Sequence, residues 1–310
     1  MASGSRQTVS FLTKRFREIG LEPDKRHGQN FLIDLNLVDL LIRTADLQPE
    51  DVVLEVGTGT GSLTALIAAR AAAVVTVEID NHLHQLAREE LADFDNVTFL
   101  KQDVLRNKNH FHDNVIEAVK EQLAADPSRR FKLVANLPYN IATPVLSNLL
   151  LTEIVPDSMT ATIQKELAER MVAVPSTKDY SALSIWMQSV CDIDLVRIMP
   201  PTVFWPRPKV DSAIVKIVHR PERRAEIPDV EFFHDFVRAL FFHRRKFLRS
   251  VVLSAFKGKL DKPHVDEVLG ELNLGSDARA EQLDIEMIKQ LSEKLRRKLA
   301  AVEQARTSSA

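Results

Sequence analysis

Asp51-Val52-Val53-Leu54-Glu55-Val56-Gly57-Thr58-Gly59-Thr60-Gly61 is the stretch whose reading decides the fold. Its first six residues read as a strand around the apolar Val52-Val53-Leu54, and the spacing from Ser62 to Arg70 predicts a helix. Glycines between a strand and a helix let the backbone turn sharply and approach a ligand closely at the carboxyl edge of a sheet. The pattern repeats outward. Val74–Glu78, Val97–Leu100 and Phe131–Ala135 read as further strands, with a helical His82–Leu91 between the first two of them. Strands separated by helix-length segments predict βαβ units and a mainly parallel sheet. Continuous rather than alternating apolar runs suit a sheet buried on both faces.

Beyond this core, Thr160–Ile163, Leu195–Ile198 and Ala213–Val218 read as late strands, the last preceded by a proline-rich segment from Pro200 to Pro208. Residues 106–130 read as a polar insertion holding a helix and a surface loop. After His219-Arg220-Pro221 the pattern turns wholly helical, over roughly 229–256, 264–272 and 284–302. The expected organisation is a basic N-terminal arm over 1–34, an α/β domain over 35–220 and a small helical domain over 221–310. A chain of 310 residues has room for both folded units. Cys191 is the sole cysteine, which excludes an internal disulfide framework and a multi-cysteine zinc site and fits a reducing compartment. No apolar stretch has the length of a membrane helix. Glu18, Glu22 and Asp24 argue against a transit peptide, so the cytoplasm is expected.

Glu78 ends the second strand about twenty residues beyond the glycine-rich turn, where nucleotide-binding units place an acid for the ribose hydroxyls. This much suits either a dinucleotide or S-adenosylmethionine. The Gly-x-Gly-x-Gly spacing departs from the dinucleotide fingerprint, and Asp103, just past the third strand, is placed to receive an adenine amine; both favour S-adenosylmethionine. Asp103 read alone is equally a turn or cap residue.

Asn136-Leu137-Pro138-Tyr139 follows the fourth strand and reaches the same sheet edge. An aromatic amine is a poor nucleophile because its lone pair is delocalised into the ring. Two acceptors fixed around its N–H bonds, the Asn136 side-chain oxygen and the Leu137 carbonyl, would favour a pyramidal nitrogen with its lone pair aimed at a methyl donor. Pro138 stiffens the turn, and Tyr139 offers a face on which a base can stack. No strong base is required, so positioning and electrostatics carry the rate. A second stacking plane, needed to hold a swung-out base, falls to Phe204 or Trp205; composition alone does not choose.

The net charge of −2 gives no global sign of a nucleic-acid partner, but the cations cluster. Lys14, Arg15, Arg17, Lys25 and Arg26 crowd the N-terminal arm, and His243, Arg244, Arg245, Lys246 and Arg249 follow Phe241-Phe242. Such clusters suit a phosphate-binding face, or simply a solvated surface.

With these residues in place, the chain resembles the small-subunit ribosomal RNA adenine dimethyltransferases of the KsgA type from about Lys25 to the last helix. The resemblance rests on Lys25-Arg26-His27-Gly28-Gln29-Asn30-Phe31-Leu32, Glu55-Val56-Gly57, Asn136-Leu137-Pro138-Tyr139-Asn140, Gln164 to Arg170 and Tyr180 to Ser184. Phe204 to Ser212, Arg244-Arg245-Lys246 and Arg279-Ala280-Glu281 complete it. It implies a Rossmann-like, seven-stranded class I methyltransferase sheet whose last strand runs antiparallel, with a C-terminal all-helical domain. It implies that Asn30, Leu32, Gly57, Glu78, Asp103 and Asn136 line the S-adenosylmethionine pocket, joined by Gly59 of the turn. Tyr139 and Phe204, rather than Trp205, would sandwich the target adenine.

The resemblance also implies four methyl transfers to two adjacent adenines in the terminal hairpin of small-subunit RNA. The substrate would be a late pre-ribosomal particle contacted by the helical domain. Nothing in the sequence itself suggests an obligate dimer, so a monomer is expected. The family often has Phe where His27 stands and Pro where Thr58 stands; His27 reads as a packing or phosphate-facing residue. Two other functions compete: a large-subunit adenine methyltransferase of the erythromycin-resistance type, and an assembly checkpoint factor whose binding outweighs its catalysis. Pro208-Lys209-Val210-Asp211-Ser212 and Arg244-Arg245-Lys246 favour the small-subunit enzyme over the first, and an intact Asn136–Tyr139 turn favours catalysis over the second.

Overall fold

A computed structural model of the chain describes residues 12, 14, 16, 29–243 and 246–308. Short strand β1 (Phe31–Leu32) precedes helix α1 (Leu35–Ala45). Asp34 caps that helix, its carboxylate accepting from the N–H groups of Asn36 and Leu37 at 2.9 and 3.3 Å. Val38, Leu41, Ile42 and Ala45 give α1 one buried stripe at helical spacing. The chain then forms β2 (Asp51–Val56), the glycine turn, α2 (Ser62–Ala68), β3 (Ala73–Glu78), α3 (Asn81–Glu90) and β4 (Val97–Lys101). Every residue of β2 and β3 is buried, as expected of strands covered on both faces.

The 106–130 segment holds the expected helix and the expected loop, at 125–129, and adds a hairpin beyond that expectation. Strands β5 (Leu105–Asn107) and β6 (His110–Phe111) pair antiparallel, and α4 (Asp113–Ala124) leads into β7 (Arg130–Asn136). Val115 and Val119 of α4 are fully buried, and the helix packs on β2 and β3. Next come α5 (Ala142–Leu149), β8 (Ser158–Gln164), α6 (Lys165–Met171), α7 (Ala182–Val190), β9 (Cys191–Met199), β10 (Phe204–Trp205) and β11 (Ser212–His219).

Seven strands form one sheet in the order β4-β3-β2-β7-β8-β11-β9. The neighbours from β4 through β8 are parallel, and β11, the last strand in the chain, runs antiparallel to β8. The strand order reverses between β2 and β7, and an open α/β sheet offers its ligand crevice at such a switch point. One core cluster joins Ile42 and Ala45 of α1 to Ile67 of α2 and to Val53, Val74 and Val134 of the sheet.

The chain divides into two compact units, the first ending at Ala168 and resuming over Ile193–His219, the second comprising Glu169–Asp192 and everything from Arg220 onward. The expected boundary at 220 therefore misses a segment: 169–192 lies with the helices. Trp186 of α7 explains this. Its ring is 5.0 Å from His234 and 6.4 Å from Phe233, and the Tyr180 hydroxyl donates to the Leu283 carbonyl at 2.9 Å.

The second unit continues with α8 (Pro221–Ala225), α9 (Val230–Phe242), α10 (Leu248–Ala255), α11 (Lys262–Glu271) and α12 (Ile285–Ser308). The single helix expected over 229–256 is thus two. Phe247 has extended backbone, and the Leu248 N–H turns to the Ala278 carbonyl at 2.7 Å. Among the described residues no helix is long and apolar enough to cross a membrane.

Candidate functional site

One cavity collects the carboxyl ends of four parallel strands. Val56 ends β2 and Gly57 follows it, Glu78 ends β3 and Ile79 follows it, Gln102 to Val104 follow β4, and Asn136 ends β7 with Leu137 and Pro138 after it; all line the cavity. Asn30, Leu32 and Gly59 line it too, so the structure brings all seven sequence-predicted cofactor residues together.

The glycine turn supplies the floor. Gly57 has φ +85° and faces the Pro138 ring, to which a β-carbon would approach within 3.4 Å. The ligand turn and the Asn-Leu-Pro-Tyr turn therefore touch. Gly59 has φ +57°, and its β-carbon would meet the Phe31 ring at 3.1 Å. Its N–H donates to the Glu78 carboxylate at 2.9 Å. Gly59→Ala is expected to destabilise the first unit by about 1–2 kcal/mol, the cost of a left-handed residue bearing a β-carbon. Denaturant unfolding measures it, and an unshifted midpoint would mean that the turn relaxes freely.

Glu78 is buried yet borders the cavity. Burial raises its pKa, opposed by backbone hydrogen bonds from Asp80 and Gly59. The Asp80 N–H donates to its other oxygen at 2.9 Å. These donors fix the carboxylate plane, and a carboxylate's several lone pairs leave capacity for a ligand hydroxyl. Asp103 is exposed at the rim; one of its oxygens holds the turn into β5 through the Leu105 N–H at 2.9 Å.

Ile79 and Val104, each directly after an acid, add apolar wall suited to a planar base. The sequence reading passed over them. The signal was positional, since each is an apolar residue directly after an acid at or just past a strand end. An acid fixed for hydroxyls, an exposed acid for an amine and apolar walls beside them fit the nucleoside of S-adenosylmethionine.

Beneath the turn lies a second carboxyl group. Glu55 accepts from Thr64 and Thr76, both at 2.6 Å and both on one oxygen. Thr76 lies 2.6 Å from the Thr58 hydroxyl. Because Thr76 spends its proton on Glu55, Thr58 must donate to Thr76. The chain Thr58–Thr76–Glu55–Thr64 ties the turn to β3, β2 and α2. Burial drives the Glu55 pKa up to about 8 against those hydrogen bonds.

Asn136 is half-buried at the cavity, and its Nδ2 donates to the Asn30 carbonyl at 2.7 Å. Its Oδ1 is thereby oriented as the acceptor. The Leu137 N–H donates to the Thr162 carbonyl of β8 at 3.1 Å, which fixes the peptide whose carbonyl was read as the second acceptor. Tyr139 is half-buried and does not itself line the cavity, though Pro138 and Asn140 on either side of it do; its hydroxyl is 2.5 Å from Ser212 Oγ. Phe204 is placed elsewhere, 2% exposed in a cluster with Leu41, Met199 and Ile214, and it does not line the cavity. β10 pairs with β1, Leu32 opposite Phe204 and Phe31 opposite Trp205. Trp205 packs on Phe16 and Phe31 at ring distances of 5.4 and 6.4 Å.

In the helical unit Lys246 is exposed, while Arg249 forms a bidentate ion pair with Asp266 at 2.5 and 2.7 Å. Phe242 is 82% exposed, and Arg279 lies over the exposed Phe247 ring at 5.0 Å. Arg244 and Arg245, like His27 and the arm residues Arg15, Arg17, Lys25 and Arg26, lie outside the described residues.

Comparison with known proteins places this geometry in context. Residues 21–291 match the family profile described as ribosomal RNA adenine dimethylase. A ribosomal RNA small subunit methyltransferase A from Halothermothrix orenii is 40% identical over 280 residues, 90% of each chain. Its counterpart from Listeria innocua is 41% identical over 283 residues, 90% of this chain and 93% of that one. Among solved structures, a dimethyladenosine transferase from Plasmodium falciparum shares the fold, with TM-score 0.69 at 24% identity over 86% of this chain and 97% of that one. The 23S rRNA methyltransferase ErmE gives TM-score 0.58 at 26% identity over 86% of this chain and 99% of its own.

Proposed function

This chain belongs to the ribosomal RNA adenine dimethylase family, and we propose that it dimethylates N6 of two adjacent adenines in the terminal hairpin of small-subunit RNA. S-adenosylmethionine is the donor and supplies a methyl group made electrophilic by its sulfonium. Glu78 would hold the ribose hydroxyls, Asp103 the adenine amine, and Asn30, Leu32, Gly57 and Gly59 the remaining contour of the cofactor.

The observation that carries the reading is the Asn136 amide, whose nitrogen is committed to the Asn30 carbonyl. Its oxygen and the Leu137 carbonyl accept the N–H bonds of the target amine and aim the lone pair at the methyl group. Pro138 keeps that turn stiff, and Tyr139 stacks on the base. The cationic amine formed by transfer is acidic and loses its proton readily, so the site needs orientation more than a strong base. Phe204 can supply a second plane only after β10 shifts, because it is buried against α1 and β11.

Identity of about 40% to small-subunit enzymes, against 26% to the large-subunit enzyme, favours the small subunit. The helical unit, through Lys246 with Arg244, Arg245 and Arg249, would bind RNA phosphates on a late assembly particle, with the enzyme acting as a monomer. Arg249 enters that role by exchanging Asp266 for phosphate.

Purified protein, given S-adenosylmethionine and small subunits from cells lacking the gene, should place four methyl groups per particle on two neighbouring adenosines, read by mass spectrometry of RNA fragments. Methylation confined to large-subunit RNA would overturn the assignment, and binding without any dimethyladenosine would reassign the chain to a checkpoint role.

A further inference from the structure

We propose that Ser212 is a positioning residue for methyl transfer, setting the plane of Tyr139 on which the target base stacks. The proposal rests on the functional reading above and gives the end of the Pro208–Ser212 motif a task. Ser212 is fully buried at the start of β11, and its Oγ meets the Tyr139 hydroxyl at 2.5 Å.

The serine is itself rigidly held. It pairs with Gln164 at the end of β8, and the preceding Asp211 carbonyl accepts the Lys165 N–H at 3.0 Å. A phenol O–H lies in its ring plane because the oxygen lone pair conjugates with the ring. A partner at hydrogen-bond distance therefore fixes both the swing of the side chain and the ring plane. β8 clamps the neighbouring acceptor in the same way, through Thr162 and the Leu137 N–H. Strands β8 and β11 thus hold acceptor and stacking face in one frame.

With Phe204 buried, Tyr139, next in the chain to the Asn-Leu-Pro turn, is the half-buried aromatic of the two read as stacking planes, and its plane orients the incoming base. Burial raises the Tyr139 pKa, so the phenol stays neutral and the hydrogen bond persists.

The test is a double-mutant cycle on methyl transfer to small subunits. Tyr139→Phe keeps the stacking ring and removes only the hydroxyl, and Ser212→Ala removes its partner. Each should lower kcat by about tenfold, as expected for losing one buried hydrogen bond at a reacting centre. S-adenosylmethionine affinity should stay within about twofold, and the double variant should be no slower than either single one. Multiplicative losses, a parallel loss of cofactor affinity, or undiminished turnover of Tyr139→Phe would overturn the proposal. A wild-type protein that methylates no RNA overturns the functional reading along with it; an active wild type with a normal Ser212→Ala variant overturns this proposal alone.

Discussion

Asn136→Ala is expected to slow methyl transfer by about 10²–10³-fold, the loss typical of removing one fixed electrostatic contact from a reacting centre. Alanine removes the oxygen that accepts the target N–H and also the nitrogen that donates to the Asn30 carbonyl at 2.7 Å. The first loss acts on the transition state, where the amine lone pair must leave conjugation, so kcat and kcat/KM should fall together. The second loosens one wall of the cofactor cavity. Cofactor binding should weaken yet remain measurable, because Glu78 and the glycine turn are untouched. Single-turnover methylation and calorimetric cofactor binding separate the two. Turnover within about threefold of wild type would remove Asn136 from the reacting centre.

Much of this site could be read from residue order because its logic is local. Val52-Val53-Leu54 is apolar without alternation, which suits a strand buried on both faces. Three glycines in the following turn adopt positive φ, a demand written into the residue type itself. Glu78, Asp103 and Asn136 each stand at or just past a strand end, so finding the strands found the polar residues of the site.

What escaped the sequence depends on partners distant along the chain. Trp186 draws 169–192 into the helical unit through Phe233 and His234, more than forty residues on. Arg249 reads as a free phosphate ligand until Asp266, one helix later, is seen beside it. Phe204 looks available in the sequence, yet packing against Leu41, Met199 and Ile214 hides it. The β5–β6 hairpin is too short to leave a periodic signal.

Glu55→Gln tests a residue that the sequence reading treated only as part of a motif. An ordinary glutamate titrates near 4.5, and the folded protein holds Glu55 protonated up to about 8. Below pH 4.5 both folded and unfolded chains carry the proton, and Glu55 adds no pH dependence. Between 4.5 and 8 the unfolded chain has released it while the folded chain retains it, so wild-type stability falls as pH rises. Above 8 both forms are ionised and the loss levels off, at a total on the order of a few kcal/mol.

Glutamine removes this titration while its amide oxygen still accepts from Thr64 and Thr76. The difference in unfolding free energy between variant and wild type should therefore be small near pH 5 and favour the variant by a growing margin up to about pH 8. Glu78 is also raised by burial, but it is present in both proteins and drops out of the difference. Parallel curves would mean that the two hydroxyls keep Glu55 ionised.

A divergence would show that a fully buried carboxyl group is kept here at a cost in stability at neutral and alkaline pH. The benefit would lie in the chain through Thr76 to Thr58, which anchors the glycine turn by the Thr58 hydroxyl. Cofactor affinity of Glu55→Gln close to wild type, with a sharp fall in Glu55→Ala, would assign that benefit to the hydrogen bonds and not to the charge.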